Sequence, residues 1–216
     1  MKKIDYRLYL VTDRKQPAPG TFEKVVEDAL KGGATLVQLR EKEGDTGLLY
    51  ERAVKLKRIT DTFHVPLIID DRIDIMLAVG ADGVHVGQSD MPAAIARKLI
   101  GPHKILGVSA GTLEEAVQAE KDGADYLGVG AMFPTATKKD ADITTPETLR
   151  KIMDTVHIPV VTIGGMNEST IPLFKGYGLS GFAVVSAIMA SREPEKAAAK
   201  LKGIIDGVVG WGARKV

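Results

Sequence analysis

The chain has 216 residues, with 29 basic and 28 acidic side chains and a net charge of +1, a balance that favours neither a nucleic-acid nor a membrane surface as partner. It contains no cysteine, which excludes disulfides, thiolate catalysis and cysteine-ligated metals. Because no apolar run approaches the roughly 20 residues that span a bilayer and no signal-peptide pattern is present, we expect one cytoplasmic domain over residues 1–216 that acts on small molecules.

Short apolar runs rich in Val, Ile and Leu recur along the chain, as expected of strands that are covered on both faces. The predicted strands are Arg7–Thr12, Leu36–Arg40, Pro66–Asp70, Gly83–Gly87, Lys104–Ser109, Tyr126–Gly130, Pro159–Ile163 and Phe182–Ser186. The predicted helices are Phe22–Lys31, Thr46–Asp61, Ile73–Val79, Pro92–Leu99, Leu113–Lys121, Pro146–Asp154, Ser169–Lys175 and Glu193–Val208. A βαβα unit that recurs about four times predicts a closed (β/α)8 TIM barrel, with its active site at the C-terminal ends of the strands.

Polar side chains end the second predicted strand. Gln38 and Arg40 share one parity and point toward the barrel mouth, whereas Val37 and Leu39 have the other parity and face the helices. A buried arginine is costly unless it meets an anion, and an arginine near Lys42 suits a pyrophosphate. The alternative is an ion pair between Arg40 and Glu41 at the barrel rim.

Carboxylates follow the next two strands. Asp70 and Asp71 end the third strand, and Asp90 follows the fourth. Carboxylates at neighbouring strand ends suit Mg²⁺, which takes oxygen ligands and bridges phosphates. Helix capping is the alternative for Asp71 and Asp90, because each precedes a predicted helix.

Ser109 lies in the segment Gly107–Gly111, which matches the G-x-S-x-G pattern of hydrolases. Such a hydrolase needs a histidine later in the chain, and only His157 follows, at the opposite end of the barrel. Ser109 is therefore interpreted as a hydroxyl donor to a phosphate. His85 lies inside the fourth strand and is predicted to face the lumen, where contact with a ligand and a buried structural role remain open.

The loops after the later strands offer a second anion site. Residues 134–139 follow the sixth strand and bring two threonines and Lys138 into a loop that can close over a phosphate. Gly164-Gly165 and Val185-Ser186 follow the last two strands, where barrels of this kind bind phosphate. Two anion sites at one mouth, with carboxylates beside the first, suit a transferase with two substrates.

These segments, in this order, resemble the thiamine-phosphate synthase family over nearly the whole chain. The resemblance is carried by Tyr9–Asp13, Gln38–Lys42, Asp70-Asp71, Gly83–Asp90, Gly107–Ser109, Thr135–Lys138, Ile163–Gly165 and Val185–Ile188. It implies a barrel enzyme that joins hydroxymethylpyrimidine pyrophosphate to hydroxyethylthiazole phosphate, or to its carboxylated form, and releases thiamine phosphate and pyrophosphate.

The resemblance also implies residue roles. The residues that would hold the pyrimidine pyrophosphate are Gln38, Leu39, Arg40, Glu41, Lys42, Asp70, Ser109 and Lys138. Those that would hold the thiazole phosphate are Thr135, Ala136, Thr137, Gly165, Val185 and Ser186. One Mg²⁺ per subunit would be held by Asp71 and Asp90. In the implied dissociative mechanism, pyrophosphate leaves with help from Mg²⁺, Arg40, Lys42 and Lys138, and the thiazole nitrogen captures the methylene cation.

The chain departs from the family at one site position, since the family usually has Asn where this chain has Asp70. A carboxylate only accepts hydrogen bonds, whereas an amide also donates. Asp70 could accept from the exocyclic amine of the pyrimidine, or it could join Asp71 at the metal.

Three other functions compete with the transferase. A thiazole tautomerase of the same superfamily would not need the Mg²⁺ carboxylates together with Lys138, and its usual catalytic histidine near Gly111 is absent. A ribulose-phosphate epimerase would need metal-binding histidines at strand ends, where only His85 is available. A non-catalytic phosphate-binding barrel would not need Arg40, Lys42, the carboxylates and Lys138 together. The sequence favours the transferase and leaves the oligomeric state open.

Overall fold

The computed structural model describes residues 4–15, 20–134 and 143–209, and these contain a closed barrel of eight strands. The strands are β1 (Leu8–Val11), β2 (Leu36–Leu39), β3 (Leu67–Asp70), β4 (Gly83–Val86), β5 (Ile105–Ala110), β6 (Tyr126–Val129), β7 (Val160–Thr162) and β8 (Gly181–Val184). Each strand pairs in parallel with the next, and β8 pairs with β1. The predicted (β/α)8 barrel is confirmed.

Helices connect the strands and surround the barrel. They are α1 (Phe22–Lys31), α2 (Thr46–Thr62), α3 (Ile73–Val79), α4 (Ala93–Ile100), α5 (Leu113–Lys121), α6 (Pro146–Thr155), α7 (Ser186–Met189) and α8 (Pro194–Val208). The start of α5 is a capping box, in which Thr112 accepts from the backbone of Glu115 and Glu115 accepts from that of Thr112. None of the helices among the described residues is long and apolar enough to cross a membrane.

Two predicted elements differ from the structure near the end of the barrel. The helix expected at Ser169–Lys175 is a short 3₁₀ turn over Ile171–Phe174. The Asn167 side chain accepts hydrogen bonds from the backbone of Ser169 and Thr170, which competes with a regular helix start. The eighth strand ends at Val184 instead of Ser186, and Ser186 begins the single-turn helix α7.

The strands are apolar along their whole length because they separate two packed layers. Val37 and Leu39 belong to the layer between the strands and the helices. Tyr9, Leu36 and Tyr126 belong to the inner layer, which fills the lumen. This inner layer is the floor of the cavity described next.

Candidate active site

A cavity of about 510 Å³ opens at the C-terminal ends of the strands, within the range of small-molecule sites. Its apolar wall includes Tyr9, Val11, Val161 and Ile163. The predicted site residues that line it are Gln38, Arg40, Lys42, Asp70, Asp71, His85, Asp90, Ser109, Gly165, Val185 and Ser186. The structure therefore brings described residues of both predicted anion sites into one cavity.

Two predicted site residues have side chains directed elsewhere. Leu39 is buried between the barrel and the helices, so only its backbone is available to a ligand. Glu41 accepts a hydrogen bond from Arg52 and lies 3.5 Å from Nε of Arg14. The alternative pair between Arg40 and Glu41 is therefore replaced by ion pairs that hold the β2–α2 loop in place.

Four predicted site residues lie outside the described residues. They are Thr135, Ala136, Thr137 and Lys138. The described chain stops at residue 134 and resumes at residue 143, beside the cavity, where Ile143 and Thr144 line the wall.

Lys42 lies among the carboxylates at and after the ends of β3 and β4. Its ammonium donates a hydrogen bond to Oδ2 of Asp71. The same ammonium nitrogen lies 3.5 Å from Oδ2 of Asp70 and 3.9 Å from Oδ2 of Asp90. Nε of Arg40 lies 3.8 Å from Oδ2 of Asp70. The basic residues after β2 therefore balance an acidic cluster at the ends of the next two strands, and both sets face the cavity.

Helix capping does not account for these carboxylates. Helix α3 begins after Arg72 and helix α4 begins after Pro92, and neither has a side-chain cap. Oδ2 of Asp90 instead accepts from the backbone N–H of Gly87 at 2.8 Å, which fixes the loop after β4. Asp71 and Asp90 therefore line the cavity without capping a helix.

The cluster perturbs its own ionisation. Burial, the charge of Asp70 and a hydrogen bond with Asp90 raise the pKa of Asp71 to about 7. Burial also raises the pKa of Asp70, against the charges of Lys42 and Arg40. Burial opposes ionisation of Asp90 as well, but hydrogen bonds from Asp71 and Gly87 lower its pKa. Burial, together with the neighbouring carboxylates, therefore favours a proton on Asp71 near neutral pH.

The donor set fits a divalent cation. Oδ2 of Asp70 and Oδ1 of Asp71 are buried and accept no hydrogen bond from the described residues, although buried polar atoms are normally paired. Asp71 also has a φ of +57°, a left-handed conformation that strains a residue other than glycine. No group of three or more metal-ligating side chains was found in the described ranges, so a cation here would also need phosphate or water oxygens, as Mg²⁺ usually does.

A chain of hydrogen bonds crosses the floor of the cavity. Nε2 of Gln38 donates to Oη of Tyr9 at 2.7 Å, and that oxygen lies 2.7 Å from Oη of Tyr126. Oη of Tyr126 lies 3.0 Å from Nδ1 of His85, whose Nε2 lies 2.9 Å from Oγ of Ser109. The two tyrosines are not among the predicted site residues, although both belong to the inner layer of the barrel.

The pairing of Ser109 with His85 corrects the argument that only His157 could serve this serine. His85 precedes Ser109 in the chain and reaches it from the neighbouring strand. Its other nitrogen meets a tyrosine hydroxyl instead of a carboxylate, and burial and the charge of Lys42 lower its pKa to about 4. So weak a base does not activate a serine at neutral pH, and the hydrolase interpretation remains excluded.

The opposite rim of the cavity is built from β7 and β8, which the barrel order places across from β3 and β4. Gly165 has a φ of +71°, and a Cβ there would lie 2.7 Å from Cβ of Phe133, so glycine is required. Val185 and Ser186 line the same rim, where α7 begins. This rim offers backbone and hydroxyl groups, in contrast to the charged groups opposite.

Comparison with known proteins identifies the family. The family model for thiamine monophosphate synthase matches residues 8–188. A thiamine-phosphate synthase of Clostridium beijerinckii is 58% identical over 200 residues, which cover 93% of this chain and 96% of that protein. One of Clostridium botulinum is 56% identical over 204 residues, which cover 94% of this chain and 96% of that protein.

A solved structure gives the same result. The thiamine phosphate pyrophosphorylase from Pyrococcus furiosus is 42% identical, with a TM-score of 0.88, and the match covers 95% of this chain and 98% of that one. Family model, curated relatives and fold agree over nearly the full length. The chain belongs to the thiamine monophosphate synthase family.

Proposed function

We propose that the chain condenses hydroxymethylpyrimidine pyrophosphate with hydroxyethylthiazole phosphate, or its carboxylated form, to give thiamine phosphate and pyrophosphate. The observation that carries the proposal is one cavity with Arg40, Lys42 and an acidic cluster on one side and the glycine and hydroxyl rim of Gly165 and Ser186 on the other. A single domain over residues 1–216 and a cytoplasmic location are part of the proposal.

Arg40 and Lys42 are suited to the leaving group. Their side chains are 22% and 45% exposed, so both can reach a ligand in the cavity. When the bond between the pyrimidine methylene and the pyrophosphate oxygen breaks, both electrons stay with the oxygen, and negative charge builds up beside these cations. Cations that are fixed before the reaction stabilise such charge strongly. Lys138, which lies outside the described residues, would add a third.

Asp71 and Asp90, with Asp70 beside them, would hold Mg²⁺. The observation that supports this assignment is that Oδ2 of Asp70 and Oδ1 of Asp71 are buried and accept no hydrogen bond from the described residues. The ion, when bound, would neutralise oxygens of the pyrophosphate.

The reaction needs no nucleophile from the protein. The aminopyrimidine ring stabilises the methylene cation, and the thiazole nitrogen forms the new carbon–nitrogen bond. The apolar wall of Val11, Val161 and Ile163 limits the access of water, which would otherwise capture the cation. Positioning and electrostatics therefore carry the chemistry.

The thiazole phosphate would bind at the opposite rim. Gly165 allows a phosphate to approach the backbone, and Ser186 adds a hydroxyl. Thr135, Ala136 and Thr137 would complete this site from the loop outside the described residues. The two substrates would thus enter from opposite sides and meet above the floor.

The test is a direct assay with the full chain, Mg²⁺ and both substrates, with thiamine phosphate and pyrophosphate measured by mass spectrometry. We expect both products, and we expect EDTA to stop their formation. Arg40→Gln should reduce turnover by about 10²-fold or more. Arg14→Gln is the matched control, because Arg14 is 51% exposed and contacts Glu41 outside the cavity. Folded protein that forms neither product with either thiazole would contradict the proposal.

A further inference from the structure

The hydrogen-bonded chain on the floor of the cavity connects a residue of β2 to a residue of β5 through three further side chains. Gln38 and Ser109 form its ends, and Tyr9, Tyr126 and His85 form its interior. We call these five residues the floor chain. Because its ends lie on β2 and β5, it spans the lumen beneath the site.

We propose that the floor chain has a single direction, and that Tyr9, Tyr126 and His85 are positioning residues that set Gln38 as a hydrogen-bond acceptor and Ser109 as a donor toward the ligand. The proposal deepens the proposed function, because it assigns the polarity of the pyrimidine subsite.

The direction follows from counting protons. The amide nitrogen of Gln38 only donates, so Oη of Tyr9 accepts, and the single proton of Tyr9 goes to Tyr126. Tyr126 in turn gives its proton to Nδ1 of His85. An uncharged imidazole that accepts at Nδ1 carries its proton on Nε2, which then donates to Ser109.

The outcome at each end is defined. Ser109 accepts from His85, so its own proton is free to point into the cavity. Gln38 donates a hydrogen bond to Tyr9 through its amide nitrogen, so its side-chain carbonyl oxygen is free to accept one from the ligand. Burial keeps the imidazole uncharged, since it lowers the pKa of His85 to about 4, and burial raises the pKa of both tyrosines, so both stay protonated.

The barrel makes space for this chain. His85, Gly107 and Tyr126 are side by side in the register of β4, β5 and β6. A Cβ on Gly107 would lie 2.2 Å from Cζ of Tyr126 and 2.4 Å from Nδ1 of His85. A Cβ on Gly128 would lie 3.1 Å from Cε1 of His85. Because Gly107 on β5 has no side chain, the hydrogen bond between Tyr126 on β6 and His85 on β4 can cross above it.

The direction of the floor chain determines which pyrimidine rings can bind to its two ends. A ligand must offer an N–H donor toward Gln38 and a lone pair toward Ser109. An aminopyrimidine offers both, through its exocyclic amine and its ring nitrogens. The 4-oxo analogue offers a carbonyl in place of the amine and leaves the carbonyl of Gln38 without a donor. We therefore expect the floor chain to discriminate against the 4-oxo ring.

The first test needs no substrate. Long-range ¹H–¹⁵N correlation spectra of the ¹⁵N-labelled full chain report the tautomer of each of its 4 histidines, and His85→Gln identifies the signal of His85. We expect the proton of His85 on Nε2 at pH 7. A proton on Nδ1, or on both nitrogens, would overturn the proposed direction.

The second test uses Tyr126→Phe, which keeps the ring and removes the hydroxyl in the middle of the chain. Tyr6→Phe is the matched control, because the buried ring of Tyr6 lies 5.0 Å from that of Tyr126 outside the floor chain. We expect Tyr126→Phe to raise the KM for the pyrimidine pyrophosphate about tenfold and to leave the KM for the thiazole phosphate unchanged. We also expect it to weaken the preference for the 4-amino over the 4-oxo ring, and Tyr6→Phe to do neither.

Equal effects of the two variants, or equal rises in both KM values, would overturn the positioning role. If Tyr126→Phe does not fold, the tautomer of His85 in the unaltered chain still decides the proposal. If the unaltered chain forms no thiamine phosphate, the proposed function fails, while the spectrum continues to report the direction of the floor chain.

Discussion

Gly107 is the position where one added methyl group should disturb the site most. In Gly107→Ala, the new Cβ would lie 2.2 Å from Cζ of Tyr126, so the ring must move by about 1 Å to regain an ordinary contact. Overpacking of this kind costs about 1–3 kcal/mol. For a chain of this size, that cost lowers the melting temperature by roughly 2–12 °C.

The same movement separates Tyr126 from His85, because the Cβ also lies 2.4 Å from Nδ1 of His85. We therefore expect the KM for the pyrimidine pyrophosphate to rise more than the KM for the thiazole phosphate. The assay combines a thermal melt with steady-state kinetics in each substrate. Gly203→Ala is the control, because Gly203 lies inside α8 and, apart from the adjacent helix backbone, no described atom lies within 4 Å of the methyl group that this change would add. That variant should gain about 0.4–1 kcal/mol of stability and keep both KM values.

Two results would refute this reasoning. If Gly107→Ala melts like the unaltered chain, the close approach of Tyr126 and His85 over β5 is not present. If it is destabilised but both KM values rise equally, the floor chain supports the barrel and has no selective effect on the pyrimidine subsite.

Other predictions follow from the acidic cluster. Lys42→Ala should reduce turnover by about 10²-fold or more, whereas Lys15→Ala should not, because the ion pair of Lys15 is exposed; equal rates in both would contradict the assignment. The folded-state pKa of Asp71 is raised from 3.8 to about 7, so between these pH values the folded state binds more protons than the unfolded state. The contribution of Asp71 to the free energy of unfolding therefore falls as pH rises from about 4 to 7. Denaturant titrations in EDTA should therefore show a smaller fall in the free energy of unfolding between pH 4 and 7 for Asp71→Asn than for the unaltered chain. The same fall in both proteins would refute the raised pKa. Removal of Mg²⁺ should abolish turnover while leaving the far-UV circular dichroism unchanged, and a fully active EDTA-treated enzyme would exclude the metal site. Asp70→Asn should weaken Mg²⁺ binding, because Oδ2 of Asp70 belongs to the same acidic cluster, and an unchanged Mg²⁺ affinity would exclude Asp70 from the metal site.

The repeating part of the fold could be predicted from the sequence because strand parity and helix punctuation are local signals. The alternation of Gln38 with Val37 and Leu39 indicates which side chains face the mouth, and the structure has the same arrangement. The turn at Ile171–Phe174 was predicted wrongly because the side chain of Asn167 competes for backbone groups, an effect that apolar periodicity does not show.

The contacts within the site were harder to predict because they join distant residues. Tyr9 and Tyr126 are 117 positions apart in the chain, and no local pattern links their hydroxyl groups. The insertion of Lys42 among the carboxylates and the left-handed backbone of Asp71 depend on the packing of three strands. The roles of Thr135, Ala136, Thr137 and Lys138 stay predictions, since these residues lie outside the described ranges.

The central claim is that the charged side and the opposite rim of this cavity serve one reaction between two substrates. A ³¹P NMR time course with Mg²⁺ and both substrates follows each phosphorus species in one sample and tests that claim most directly. We predict that pyrophosphate and thiamine phosphate form at equal rates, and that both rates fall together in Ser186→Ala, which removes a hydroxyl from the opposite rim. Release of pyrophosphate without thiamine phosphate, or no change in either substrate, would contradict the account.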